Sequence, residues 1–290
     1  MGEELKWPFR AAEALAAGLL SERELRRFYT SVYPGVYAPP GVELTAVQRG
    51  NAAWLWSRRN GVLAGLSASA VHGAKWVEPG LPAELVHSNQ RTPELLTVYA
   101  DRLDLGETRS IDGMAVTTPA RTAFDIGRRF GLEPGVLRID ALMNATHLKV
   151  PDIEALTASH PGVRGLVQLR QTLDLVDGGA ESPYESLTRL LLIRAGFPRP
   201  QTQITVIDRD GNVWRIDMGW PEYLVGVDFD GAHHWTNPKQ RTKDVLRYAI
   251  LQELGWIDVR LTSGILHRTP QVFLGRVGDA LIARGCPKTW

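Results

Sequence analysis

The sequence predicts an α/β protein, and three observations carry that reading. The last 110 or so residues read as helix, three strands, helix, strand, helix. The first 40 read as two short helices and a small hairpin. Between the halves, Asp177-Gly178-Gly179-Ala180 is the clearest linker signal. A length of 290 residues suits one to three domains. We expect a winged-helix-like region over 1–60, a mixed helical and α+β region over 61–177, and a further domain over 181–290.

Composition bounds what the chain can be. Hydrophobic residues are 44% and charged residues 22%, which excludes wholesale disorder. With 33 basic and 32 acidic residues the net charge is +1, so the chain is no polycationic binder, although a local basic groove remains open. A single cysteine, Cys286, excludes a disulfide framework and a cysteine-rich zinc site. No apolar run is long enough to span a bilayer, and no signal-peptide core precedes the first helix, so the expected location is a reducing cytoplasm.

The first elements are set by caps. Phe9 to Gly18 is rich in Ala and Leu and predicts a helix with Gly18 at its end. Ser21-Glu22-Arg23-Glu24 is a capping box, so a second helix runs from Ser21 to about Tyr29. Val32 to Ala38 forms two β pieces around Pro34-Gly35. In that outline the second helix would read DNA, with Arg23, Arg26 and Arg27 as its nucleic-acid-binding residues. A solvated basic face is the competing reading. Helices follow over Ala46 to Asn60 and from Ser67, strands over Ala83 to Val86 and Leu95 to Val98, and a helix from Thr118-Pro119 to Arg129. Trp54, Trp56 and Trp76 read as core, and His72, His87, His147 and His160 as structural.

After the linker, Ser182-Pro183-Tyr184-Glu185 opens a helix ending at Gly196. Strands are expected over Thr202 to Ile207, Val213 to Met218, Leu224 to Asp230 and Ile257 to Leu261. Helices should run from Pro238 to Gly255 and from Pro270 to Arg284. Strand alternation puts Asp228 and Asp230 on one face, with Val225, Val227 and Phe229 on the other. On the neighbouring strand, Trp214, Ile216 and Met218 should share the core side, leaving Asp217 outward with Arg215. Three carboxylates on adjacent strands repel one another unless a cation or a shared proton intervenes. Hard oxygen donors at that spacing suit Mg²⁺ or Mn²⁺.

Here the string D-x10-D-x-D-G-x-x-H, Asp217 to His234, together with the element order, resembles the PD-(D/E)XK nuclease superfamily. The nearer likeness is to the branch related to very short patch repair endonucleases, over about Glu181 to Phe273. The resemblance implies a restriction-endonuclease-like αβββαβ domain and a metal-dependent DNA endonuclease, in DNA repair or defence. It implies Asp217, Asp228 and Glu185 as metal ligands and, with Asp230 and His234, as the catalytic set. Asp244, Arg247 and the Leu-Gly-Trp ending at Trp256 match the helix after the core. Asp230 stands where the superfamily has its lysine, so His234, then His233, are candidates to replace it. Lys239 and Lys243 lie further off and are assigned to DNA binding.

Gly18-Leu19-Leu20-Ser21, Gly35-Val36-Tyr37-Ala38 and Thr118-Pro119-Ala120-Arg121-Thr122 resemble the winged-helix region of AbiEi-type antitoxin regulators, over about residues 9 to 130. That likeness implies a different outcome: a non-catalytic DNA-binding transcriptional regulator on a degenerate nuclease fold. A protein partner of the toxin–antitoxin type is a weaker third reading. Structural roles compete at each site. Glu185 also fits a capping box, Asp217 also fits an exposed pair with Arg215, and Asp244 and Arg247 also fit a surface ion pair.

Overall fold

The computed structural model describes residues 5–230 and 238–290; the side chains of 238–245 lie outside that description. The chain is mixed α/β and divides into two units, residues 1–178 and 179–290.

In the first unit, β1 (Phe9–Arg10) leads into α1 (Ala11–Ala16). The Phe9 to Gly18 helix is thus shorter than expected, because Phe9 and Arg10 pair with Tyr37 and Val36 instead. Next comes α2 (Glu22–Phe28), started by the Ser21/Glu24 capping box, which is fully formed. The hairpin β2 (Thr30–Tyr33) and β3 (Val36–Ala38) completes a three-stranded sheet in the order β1–β3–β2. Then follow α3 (Ala46–Trp56), β4 (Val62–Leu63), α4 (Gly65–Val71), β5 (Ala83–Val86), β6 (Leu96–Tyr99), β7 (Thr108–Ile111) and β8 (Met114–Thr117). These strands form a sheet ordered β6–β5–β4–β8–β7. Tyr33 and Val36 of the hairpin share one core cluster with Ala52, Leu63, Leu85 and Val116, so the core runs straight through residue 60. Trp54 and Trp56 pack on it; Trp76, expected in the core, is 52% exposed.

Four helices close this unit: α5 (Pro119–Arg129), α6 (Leu132–Thr146), α7 (Val150–Ser159) and α8 (Leu166–Leu173). The Thr118–Thr122 string has a physical role here. Thr118 caps the helix through the Arg121 N–H, and Thr122 hydrogen-bonds Thr117 at 2.7 Å. Arg121, only 2% exposed, joins Asp125 at 3.0 Å and Glu107 at 2.5 Å. A guanidinium this deep is tolerable only because carboxylates neutralise it and take its donors.

The second unit runs α9 (Pro183–Arg194), β9 (Gln201–Ile207), β10 (Val213–Trp220), β11 (Val225–Asp230), α10 (Pro238–Glu253), β12 (Ile257–Thr262), α11 (Ser263–Arg268) and α12 (Pro270–Ala283). The short α11 is absent from the sequence reading. It fills a segment without strong periodicity, and Thr262 caps it by accepting from the Ile265 N–H. The sheet order is β12–β11–β10–β9, antiparallel except for the parallel β11/β12 pair.

Both faces of this sheet are covered, which corrects the expectation of one outward face. Met218, Val225 and Val227 pack in a cluster with Phe273, Val277 and Leu281 of α12. Ile216, Ile204 and Val206 pack in another with Leu251 and Trp256. Ile216 and Met218 therefore do not share a side, contrary to strict alternation. The break lies between them: β10 pairs with β9 at Ile216–Ile204 and Met218–Thr202 but not at Asp217–Gln203. Gln203 there takes a left-handed φ of 52°. Gly226 fits against the relocated Ile216, whose Cγ2 would stand 2.8 Å from a Cβ at that position.

Candidate functional site

The break in alternation is where the acids meet. The β10/β11 ladder ends at the Met218–Val227 pair. Beyond it the side chains take over the bonds that backbone would have made. The Asp217 N–H donates to Asp228 Oδ1 at 2.9 Å, and the Phe229 N–H donates to Asp217 Oδ2 at 2.8 Å. Two carboxylates on adjacent strands are each held by a backbone N–H of the other's strand. Asp228 is 2% exposed and Asp217 is partly buried, so Asp217 is not the exposed strand carboxylate paired with Arg215. Arg215 instead binds Glu181 at 2.8 Å.

Arg247 of α10 supplies the nearest positive charge. Its Nη2 pairs with Asp228 Oδ2 and its Nε donates to the Arg215 carbonyl at 3.1 Å. The surface ion pair considered for Arg247 with Asp244 involves a side chain that lies outside the described residues.

Glu185 approaches from α9, and its carboxylate is already engaged. It accepts from the Glu181 N–H at 2.8 Å and the Ser182 hydroxyl at 2.9 Å, while its own N–H completes the cap on Ser182. Gln203 Nε2 adds a donor at 3.2 Å. Sequence reading missed Gln203, and its only signal is structural: a non-glycine residue held at positive φ beside a cluster of acids.

Asp258 is the second residue missed. It stands on β12 opposite Gly226, one strand over from Asp228. Both its carboxyl oxygens are buried without a hydrogen-bond partner among the described residues. Arg260, opposite Asp228 on β12, pairs with Asp230 at 3.1 Å and lies over the Tyr248 ring at 3.6 Å. Asp230 is thus engaged by a cation of the fold.

The acids outnumber the cations, and their protons show it. Burial, then Asp228, then Glu185, push the Asp217 carboxyl up to about 7. Burial and the neighbouring Asp228 push Asp258 up to about 9. Burial also raises Glu185. A carboxylate cluster with surplus negative charge either keeps protons or takes a cation. Oxygen donors of this kind suit hard cations such as Mg²⁺ or Mn²⁺, while both Asp228 oxygens already have partners in the Asp217 N–H and Arg247. Glu185 is turned into its helix cap.

His233 and His234 lie outside the described residues, as do the side chains of Lys239 and Lys243. Arg23, Arg26 and Arg27 are exposed on α2, Arg26 paired with Glu22 at 3.1 Å and Arg27 over the Phe28 ring. Among the described residues, one group brings three metal-capable side chains within 4.8 Å of one another: Asp104, Glu107 and His160 in the first unit. There Glu107 is already bound by the Arg121 guanidinium and by His160 Nε2.

No helix among the described residues is long and apolar enough to cross a membrane. No family model matches the chain, and no solved structure matches it. Two curated proteins of Mycobacterium tuberculosis, from strains CDC 1551 / Oshkosh and ATCC 25618 / H37Rv, are each 31% identical over 171 residues. Both are named only as uncharacterized. The match covers 59% of this chain and 63% of theirs, so the chain is similar to less than two thirds of either relative's length.

Proposed function

We propose that the second unit is a restriction-endonuclease-like domain acting as a metal-dependent DNA endonuclease. The observation that carries this is the Asp217–Asp228 pair, two carboxylates fixed by backbone N–H groups of each other's strand, those of Phe229 and Asp217, where a hairpin ladder opens. An α9–βββ–α10–β12 order around that pair supports it. Asp217 and Asp228 would hold Mg²⁺ or Mn²⁺. Such an ion lowers the pKa of a bound water and offsets charge on the scissile phosphate. Glu185, steadied by Ser182 and Gln203, borders the pair and raises its negative field. Arg247 holds the Asp228 carboxylate in place through an ion pair. Asp230 is held by Arg260, and His234 is the residue we assign to proton donation near the leaving group. In the first unit, exposed Arg23, Arg26 and Arg27 on a helix followed by a hairpin support a winged-helix-like contact to DNA phosphates.

The test is incubation of the full chain with supercoiled, linear, nicked and single-stranded DNA in Mg²⁺, Mn²⁺ or EDTA, with Asp217→Asn alongside. Metal-dependent cleavage that the variant lacks is the expected result. Absence of cleavage with every substrate in both metals refutes the reading. One observation favours a second function: Arg247 already neutralises Asp228 from within. On that reading the domain is a scaffold, and the chain is a DNA-binding regulator of the antitoxin type.

A further inference from the structure

Beside the acid pair lies an aromatic surface that the reaction does not use. Tyr184, one residue before Glu185 on α9, stacks on Phe229 of β11 with ring centroids 4.5 Å apart and planes 6° from parallel. His267 of α11 meets the Tyr184 ring edge-on at 6.2 Å. Phe229 is the residue whose N–H holds Asp217, so the stack is fixed to the acids through one peptide unit. A ring that served only to seat α9 on the sheet would be covered. Tyr184 is instead 39% exposed, with the exposed His267 of α11 against its ring edge. An exposed aromatic ring takes a nucleobase by stacking, and the neighbouring imidazole offers a hydrogen-bonding group to its phosphate.

We propose that Tyr184, seated on Phe229, is a stacking shelf for an unpaired base flanking the phosphate presented to Asp217 and Asp228. The substrate class is then DNA carrying unpaired nucleotides at the cut, rather than continuous duplex. This rests on the nuclease reading of the acid pair. In a continuous duplex each base already has neighbours on both faces, so the shelf gains nothing there. At a single strand, flap or mismatch, a free base face is available at little cost.

The test uses the full chain in EDTA and fluorescence anisotropy with two probes, a labelled 12-nucleotide oligothymidylate and a labelled 12-base-pair duplex. Tyr184→Ala and Tyr184→Leu should weaken single-strand binding by about 5- to 100-fold, the range for losing one stacked base. Leu keeps the apolar contact with Phe229 but has no π face, so its loss reports stacking and not folding. Tyr184→Phe should bind within about twofold of wild type, and duplex binding should be unchanged in all three. Unchanged single-strand binding by Tyr184→Ala overturns the proposal, as does an equal loss with both probes. Cleavage in Mg²⁺ then judges the nuclease reading separately. A chain that cuts but shows no Tyr184 dependence loses the shelf alone, and one that shows the dependence but never cuts loses the nuclease alone.

Discussion

Asp217 and Asp228 each accept a hydrogen bond from the other's strand, Asp228 from the Asp217 N–H and Asp217 from the Phe229 N–H. The bonds are alike, but the surroundings are not, because Arg247 binds only Asp228. Substitution of the two should therefore differ. Asp217→Asn removes a carboxylate that burial already disfavours in its charged form, so thermal stability should hold or rise. Asp228→Asn leaves Arg247 without its counter-charge and should cost about 1–3 kcal/mol, less than a fully buried pair because Arg247 is partly exposed. Both variants should lose Mn²⁺ binding. Scanning calorimetry and Mn²⁺ titration check the two halves; equal destabilisation would show that Arg247 does not discriminate between the acids.

Stability without metal should fall as pH rises. Asp217 and Asp258 have folded values near 7 and 9, above the ordinary 3.8. Below about pH 4 both states are protonated. Above it the unfolded chain releases protons that the native chain keeps, so native stability is lost up to about pH 7 for Asp217 and about pH 9 for Asp258. Melting temperatures in EDTA should drop from pH 5 to pH 9, and added Mg²⁺ should restore more at pH 9 than at pH 5. A melting temperature that climbs across this range would contradict the surplus of acids. Asp217→Asn should flatten the lower part of the curve.

Gln203→Gly should raise stability by about 0.5–1 kcal/mol, since glycine adopts a positive φ without a Cβ penalty. The same variant removes the amide that steadies Glu185 and should slow cleavage by less than Asp217→Asn does. Gln203→Ala keeps the strain and loses the amide, so it should slow cleavage without gaining stability. Melting curves and single-turnover rates of the pair decide this.

Arg121→Met should cost about 3–5 kcal/mol, because Asp125 and Glu107 would remain buried without their cation. Lysine should not rescue it, since one ammonium cannot make the forked contacts of a guanidinium. Urea unfolding of the full chain, followed for the transition of the first unit, provides the measure.

Local chemistry made much of this legible. The Ser21 and Ser182 caps, the Thr118-Pro119 start and the turn at Pro34-Gly35 stand where sequence put them, because each is decided within four residues. What sequence could not give was long-range. Phe9 and Arg10 look helical locally but are captured by Tyr37 and Val36. Strict alternation put Ile216 beside Met218, whereas the break opposite Gln203 sends them into different cores. Asp258 and Arg260 reach the acids only through parallel pairing with β11, which crosses a whole helix in sequence. Arg121 lay inside a recognised string, yet its near-complete burial depends on acids contributed from elsewhere in the fold.

The change of face at Asp217 also separates inheritance of shape from inheritance of chemistry. Ile216 is anchored in one apolar layer and Met218 in the other, so the residue between them is pinned from both sides whatever its side chain is. A descendant could exchange every acid for a neutral residue and still carry the bend. One that straightened the strand would disperse the acids while keeping all of them in its sequence. It is the bend anchored by Ile216 and Met218, rather than the number of acids in the sequence, that brings Asp217 and Asp228 together.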